Sequence, residues 1–297
     1  MLGFGNLLIV YCDYGRLGNR LHTHANALAW CIENNYNLIN LSFIEYAPLF
    51  KSSSKHKSGN LHQTNSLLFK SFSGSLFRNI LRRLLLSDKL LDRLAWIVNH
   101  IRPTDDEELR ETDLNRQINQ KKINLVKYWD VSCTNSLQTH QNKIRHYLLP
   151  NKIFVTSTEK IINDLRSKYE CIVGVHARRG DYINYLDGIH YHSWESYLHW
   201  ANQTKQILEK SGKKNVGIVI CSDELPPTSI FKNKSIYFSL SKEFMVDIYL
   251  LSLCNYNLGP PSSFGTWVSW FGKLPRLIVH KNTEITSLEQ FEICATC

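Results

Sequence analysis

VGVHARRGDY, residues 173–182, sets a histidine, two adjacent arginines, a glycine, an aspartate and a tyrosine directly after an apolar run. Neighbouring guanidiniums repel one another, so a packed core has little use for them, whereas a polyanionic ligand does. Two readings without function compete with that one: a solvated strand end, and a chance Arg-Gly-Asp tripeptide. The surrounding sequence decides between them. CIVGVHA reads as a strand, WESYLHWANQTKQILEKSG as a helix ending at Gly212, and NVGIVICS as a strand. SIYFS reads as a short strand, residues 242–254 as a helix, SSFGTWVSWFG as a helix opening on Ser262 and Ser263, and RLIVH as a strand. Strands alternating with helices at this spacing predict a doubly wound parallel sheet.

Ligands of such sheets bind beyond the carboxyl ends of the strands. His176, Arg178 and Arg179 end one strand, and Ser222, Asp223 and Glu224 end the next. Pro260 to Ser263 open a helix whose free N–H groups and dipole favour phosphate. Guanidinium forks suit diphosphate oxygens, and carboxylates accept from ribose hydroxyls or a purine amine, so a nucleoside diphosphate is the expected occupant.

The first half carries weaker versions of the same pattern. NLLIVYC reads as a buried strand, LGNRLHTHANALAWCIENN as a helix, and NLINL and KKINLVKYW as strands. Residues 51–66 read as a Ser/Lys/His-rich loop, and TDDEELRETD as a charged linker. FRNILRRLLLSDKLLDRLAW reads as a helix with an apolar stripe and a basic face, packed on the protein or touching a membrane surface. The chain is 297 residues long, enough for two domains.

Composition excludes several classes. With 43% apolar and 21% charged residues, the chain is an ordinary globular one. The apolar stretch near the start, Leu7–Tyr11, is far short of the roughly 20 residues of a membrane span, and no basic segment precedes it. A cytoplasmic protein, at most peripheral on the cytosolic membrane face, is expected. The eight cysteines are scattered, and the terminal Cys294-x-x-Cys297 lacks a second pair, so it predicts a loose reduced tail rather than a zinc site. Residues 1–150 carry 19 Lys and Arg against 12 Asp and Glu, and residues 151–297 carry 16 against 14. A basic first half could attract nucleic acid, but the aromatic residues fall at core spacing and no nucleic-acid motif is present, so no nucleic-acid partner is expected.

HARRGDY resembles the H-x-R-R-G-D-Y motif of the α1,2-fucosyltransferase family, within the wider α1,2-, α1,6- and protein O-fucosyltransferase superfamily. GRLGNRLHTHANA is similar to that family's first G-x-L-G-N-x element, and DIYLLSLCNYNLGPPSSFGTWVSWFG to its last block. Arg20 and Thr23 stand where glutamines are usual, and Gly265-Thr266 and Val268-Ser269 also depart from the pattern. The resemblance implies a GT-B transferase with two Rossmann-like, doubly wound domains facing a cleft: residues 1–157 on the acceptor side and 158–297 on the GDP-fucose side. It implies inversion at the anomeric carbon with no metal and no cofactor beyond the donor, GDP-fucose, and a glycan as acceptor. Arg178 would clamp the β-phosphate, and Arg179 would support its loop or the other phosphate. His176, Asp181, Tyr182, Ser222 and Asp223 would hold the nucleoside or the arginines, and Ser262, Ser263 and Phe264 the diphosphate. Gly15, Gly18 and Asn19 would shape the acceptor side. For the base, Asp187 comes first and Asp13 second, with His190 and His192 as further candidates, unless the transition state is so dissociative that a base matters little.

Overall fold

The computed structural model describes residues 6–12, 14–51, 93–104, 108–120, 122–227, 236–239, 241 and 243–297. The expected loop 52–66, the amphipathic helix up to residue 92, and Asp13 lie outside them. The chain forms two compact units, Met1–Leu149 and Pro150–Cys297. The boundary expected at residue 157 falls inside a helix of the second unit.

The first unit runs β1 (Leu7–Val10), α1 (Leu17–Asn34), β2 (Asn37–Asn40), β3 (Val98–Ile101), β4 (Leu109–Arg110), α2 (Glu111–Gln117), β5 (Ile123–Val126), β6 (Val131–Ser132) and α3 (Thr134–Tyr147). Its main sheet is parallel, in the order β2-β1-β5-β3. The helix α1 forms because Leu21, Ala25, Leu28 and Ala29 recur at helical spacing, and all four are fully buried. It stops at Asn35, whose left-handed backbone (φ 58°) closes the last turn.

Over its described residues 108–113, the charged stretch expected as a linker is a strand and the start of a helix. Leu109 and Arg110 pair with Val131 and Ser132, and Glu111 begins a helix. Two of its described carboxylates are consumed locally. Asp113 accepts from the Arg110 backbone N–H (3.2 Å) and from Arg116 (2.9 Å), while Glu111 accepts from Ser136 Oγ at 2.5 Å. A run of acids reads as solvated in one dimension, but here the acids cap helices.

The second unit runs α4 (Lys152–Lys168), β7 (Cys171–Ala177), α5 (Trp194–Lys210), β8 (Val216–Ser222), β9 (Ile236–Phe238), α6 (Phe244–Ser252), β10 (Tyr256–Gly259), α7 (Ser263–Gly272) and β11 (Arg276–Ile278). All strands are parallel, in the order β11-β10-β7-β8-β9. β7 is buried along its whole length because helices cover both faces of the sheet. Cys171, Val173, Val175 and Ala177 join the core formed with Trp194, Tyr197 and Trp200 of α5. Gly174 faces the other way, where a Cβ would lie 2.9 Å from Leu251 of α6.

Two further segments differ from the sequence reading. YNLG, assigned to no element from the sequence, is the strand β10 between β7 and β11. Its Gly259 admits the close approach, since a Cβ there would sit 2.7 Å from the His176 carbonyl oxygen. The cysteine tail is packed rather than loose: Cys297 is 5% exposed, and the Cys294 N–H donates to Ser269 Oγ at 3.1 Å. No disulfide forms among the described residues, and no described helix is long and apolar enough to cross a membrane.

Candidate active site

Sheet register builds the site. Parallel pairing sets His176 beside Cys221 and Ala177 beside Ser222, so Arg178 and Asp223 emerge side by side from β7 and β8. After β9 the chain crosses back to place β10 on the far side of β7, which makes the gap between β7 and β10 the topological switch point of the sheet. The loops that follow these two strands are the HARRGDY loop and the Pro260–Ser263 loop.

The two arginines of the motif have opposite environments. Arg179 is 9% exposed and every face of its guanidinium is used. It donates to Glu224 (2.8 Å), to the His192 carbonyl (2.5 Å) and to the Tyr191 hydroxyl, and lies over the rings of Tyr191 and Trp194. It holds the loop. Arg178 reaches the cavity, where Nη2 donates to Asp181 (2.7 Å) and Nε lies 3.6 Å from Asp223. Asp223 also accepts from the backbone N–H groups of Arg179 (2.8 Å) and Gly180 (3.1 Å), so one carboxylate fixes both the loop and its cation. Gly180 must be small, because a Cβ would lie 3.0 Å from that carboxylate.

Tyr182 ties the two loops together. Its hydroxyl donates to the Pro261 carbonyl at 2.6 Å, and the Arg178 guanidinium lies 5.5 Å from its ring centroid. Ser262 caps α7, accepting from the Gly265 N–H at 3.1 Å, and Ser263 begins the helix. Phe264 stacks on His176 with ring centroids 4.5 Å apart. Burial, aided by the nearby Arg178 and Arg276 charges, pushes the His176 pKa down to about 3, so this imidazole is neutral near pH 7.

A cavity of about 430 Å³ opens beside these groups, lined by His176, Arg178, Ser222, Asp223 and Phe264 among others. Its walls include Ile220, Leu225, Phe238 and Phe244, giving an apolar slot with a charged mouth. Asp247 of α6, a residue absent from the sequence reading of the site, also lines it. Burial raises its pKa from 3.8 to about 6, offset in part by the Ser239 hydroxyl that donates to it. One carboxylate inside the apolar run FMVDIYLLS was the signal available in the sequence.

Other expected residues lie elsewhere. Asp187 is exposed on a loop of two short 3-10 turns and does not line the cavity. It follows Leu186 and precedes Gly188, and all three have left-handed backbones, with φ 48°, 54° and 73°. His192 is buried, its pKa pushed down to about 4 by burial and by the neighbouring His190 and His280. Gly15, Gly18 and Asn19 belong to the first unit. Gly15 has φ 64°, and a Cβ there would meet the Asn19 amide at 2.2 Å. Beyond the carboxyl ends of β1 and β5, the Tyr14 ring lies tilted against Trp129 with centroids 4.3 Å apart, and His22 Nε2 lies 3.1 Å from Asp130 Oδ1. Among the described residues no group of three or more His, Cys, Asp or Glu is placed to hold a metal ion.

Comparison with known proteins adds a family context. No family model matches the chain. An α1,2-colitosyltransferase of Escherichia coli is 25% identical over 139 residues, 44% of this chain and 46% of that protein. The match thus spans about half the length of that relative. A variant of Arabidopsis thaliana FUT1 in complex with GDP superimposes with a TM-score of 0.56 at 14% identity, covering 94% of this chain and 72% of that one. The fucosyltransferase NodZ from Bradyrhizobium gives a TM-score of 0.53 at 13% identity, covering 95% and 97%. The NodZ α1,6-fucosyltransferase soaked with GDP-fucose gives 0.51 at 14%, covering 95% and 99%. The protein has the α/β, GT-B-like fold of fucosyltransferase structures, with two parallel sheets. In fold and in its motifs it resembles the fucosyltransferase superfamily.

Proposed function

We propose that the protein is an inverting, metal-independent glycosyltransferase that moves L-fucose from GDP-fucose to a glycan hydroxyl, forming an α1,2 linkage. The observation that carries this is Arg178, a guanidinium held by Asp181 and Asp223 at the mouth of an apolar cavity, beside the N-terminus of α7. The second unit takes the donor. Guanine enters the apolar slot and its N–H groups donate to Asp247, while the diphosphate lies between Arg178, the Ser262–Ser263 turn and Phe264. The bond from the anomeric carbon to the β-phosphate oxygen breaks with its electron pair on GDP, and Arg178 stabilises that charge as it develops. The acceptor oxygen attacks from the opposite face, and its proton passes to a base. Asp187 is the first candidate and Asp13 the second. Of the further candidates His190 and His192, the latter is a poor one, because burial suppresses its basicity. The acceptor is taken by the first unit, beside Gly15, Gly18 and Asn19.

A second reading, transfer of another GDP-sugar by the same site, is favoured by the colitosyltransferase among the relatives. Thermal shift with nucleotides tests the donor class. GDP and GDP-fucose should stabilise the protein by about 2.7 kcal/mol at 100 times the dissociation constant, equally with Mg²⁺ or EDTA. Equal stabilisation by UDP rejects the assignment. Turnover of GDP-fucose against GDP-colitose with an oligosaccharide panel separates the two donors, and turnover of neither leaves a binding protein.

A further inference from the structure

Arg276 opens β11 and is 3% exposed. A guanidinium cannot shed its proton, so it is a buried cation. Buried cations are ordinarily matched by carboxylates, because desolvating an unpaired charge is costly. Among the described residues no carboxylate pairs with Arg276.

The side chain lies beneath the first turn of α7. Nη2 donates to the Pro260 carbonyl at 2.7 Å and Nη1 to Thr266 Oγ1 at 3.0 Å, which leaves Nε buried without a hydrogen-bond partner. A Cβ on Gly265 would meet three guanidinium atoms at 2.5 to 2.9 Å, so the planar group fits only because that residue is glycine. Its field reaches both His176 and Tyr182 on the HARRGDY side. The loop it grips contributes two prolines with no N–H, leaving the first N–H groups of α7 as donors.

We propose that Arg276 is a second cation of the diphosphate site, acting from beneath the helix: its charge is completed by the anion bound at the N-terminus of α7, and its two hydrogen bonds hold the Pro260–Ser262 loop in place. It is a positioning residue that does not touch the donor, and the assignment rests on the donor site proposed above. Loss of the loop's hold and loss of the charge would both weaken phosphate ligands, so Arg276→Lys, which keeps the charge and loses the fork, separates the two. A charge beneath the diphosphate affects ligands that carry phosphate.

Calorimetry on the full chain with GDP, guanosine and inorganic pyrophosphate tests this. In Arg276→Met, GDP and pyrophosphate affinity should fall about tenfold to thirtyfold, the scale of a partly buried charge at a helix end, with guanosine affinity unchanged. Arg276→Lys, which keeps the charge but loses the fork, should retain GDP affinity within about threefold while its melting temperature falls. GDP and pyrophosphate binding at wild-type strength in Arg276→Met overturns the proposal, as does equal loss of guanosine. If Arg276→Met does not fold, the lysine variant decides: loss of GDP with guanosine retained means that fork geometry, not charge, matters, and the assignment falls. A wild-type protein that binds guanosine as tightly as GDP removes the donor site itself, a result that needs no variant.

Discussion

At its switch point between β7 and β10, the second unit gathers the guanidiniums of Arg178 and Arg179, the carboxylates of Asp181, Asp223 and Glu224, and a neutral histidine. At its own switch point between β1 and β5, the first unit gathers Tyr14 packed against Trp129 and His22 paired with Asp130. Both are parallel sheets that open a crevice where strand order reverses, so topology places a site in each. The chemistry differs. A cavity-facing guanidinium beside a helix N-terminus suits a diphosphate, whereas an aromatic face with a polar pair suits an uncharged, hydroxyl-rich ring. One fold plan thus presents two kinds of chemistry through the residues just past the strand ends.

The sharpest way to break this contrast is within the charged site. Arg178→Lys should lower turnover by roughly 100-fold or more, because one preorganised donor to developing charge contributes about 3 kcal/mol. Wild-type turnover in that variant would reduce the motif to a decorated strand end. Arg179→Lys should behave differently. It loses contacts to His192 and Tyr191, so thermal denaturation should show a loss of roughly 2 kcal/mol, while turnover at low temperature changes far less than in the Arg178 variant. Equal effects in the two would erase the distinction between clamp and buttress.

Asp247→Asn should separate stability from affinity. Because the folded state raises this carboxyl from 3.8 to about 6, the fold holds the proton more tightly than the unfolded chain does. Stability from this group is therefore present below about pH 4 and lost as pH rises through about 6. The asparagine variant escapes that loss. Without ligand it should melt higher than wild type at pH 7.5, with the gap closing at pH 4, yet bind GDP about tenfold more weakly. Parallel melting curves and GDP titrations check both halves.

The smallest effect is expected in the first unit. Trp129→Ala should raise the acceptor KM about tenfold, the loss of one aromatic contact, with GDP affinity unchanged. A fall in GDP affinity there would blur the division of labour.

Much of the second unit was legible in one dimension. Helices α5 and α7 and strands β7, β8, β9 and β11 follow from apolar runs bounded by Gly212, Ser262 and the charged strand ends. β10 was not, since four residues with a buried Asn257 and a glycine carry no strand signature until β7 and β11 flank them. Nor were α3 and α4, left unassigned because their buried residues, such as Leu137 and Ile144 or Ile162 and Leu165, form narrow stripes in polar helices.

The sequence by itself determined the alternation of strands and helices, the cluster of cations after β7, and the hydroxyl-capped start of α7, because these depend on neighbours a few residues apart. Only the tertiary structure decided which arginine faces the cavity, that Asp223 serves both Arg178 and the loop backbone, that Asp247 lines the slot, and that Arg276 lies beneath α7. The Arg276–Pro260 contact spans 16 positions and the Arg179–Asp223 contact 44. Burial and charge pairing at such separations follow from strand order and register, which no local pattern encodes.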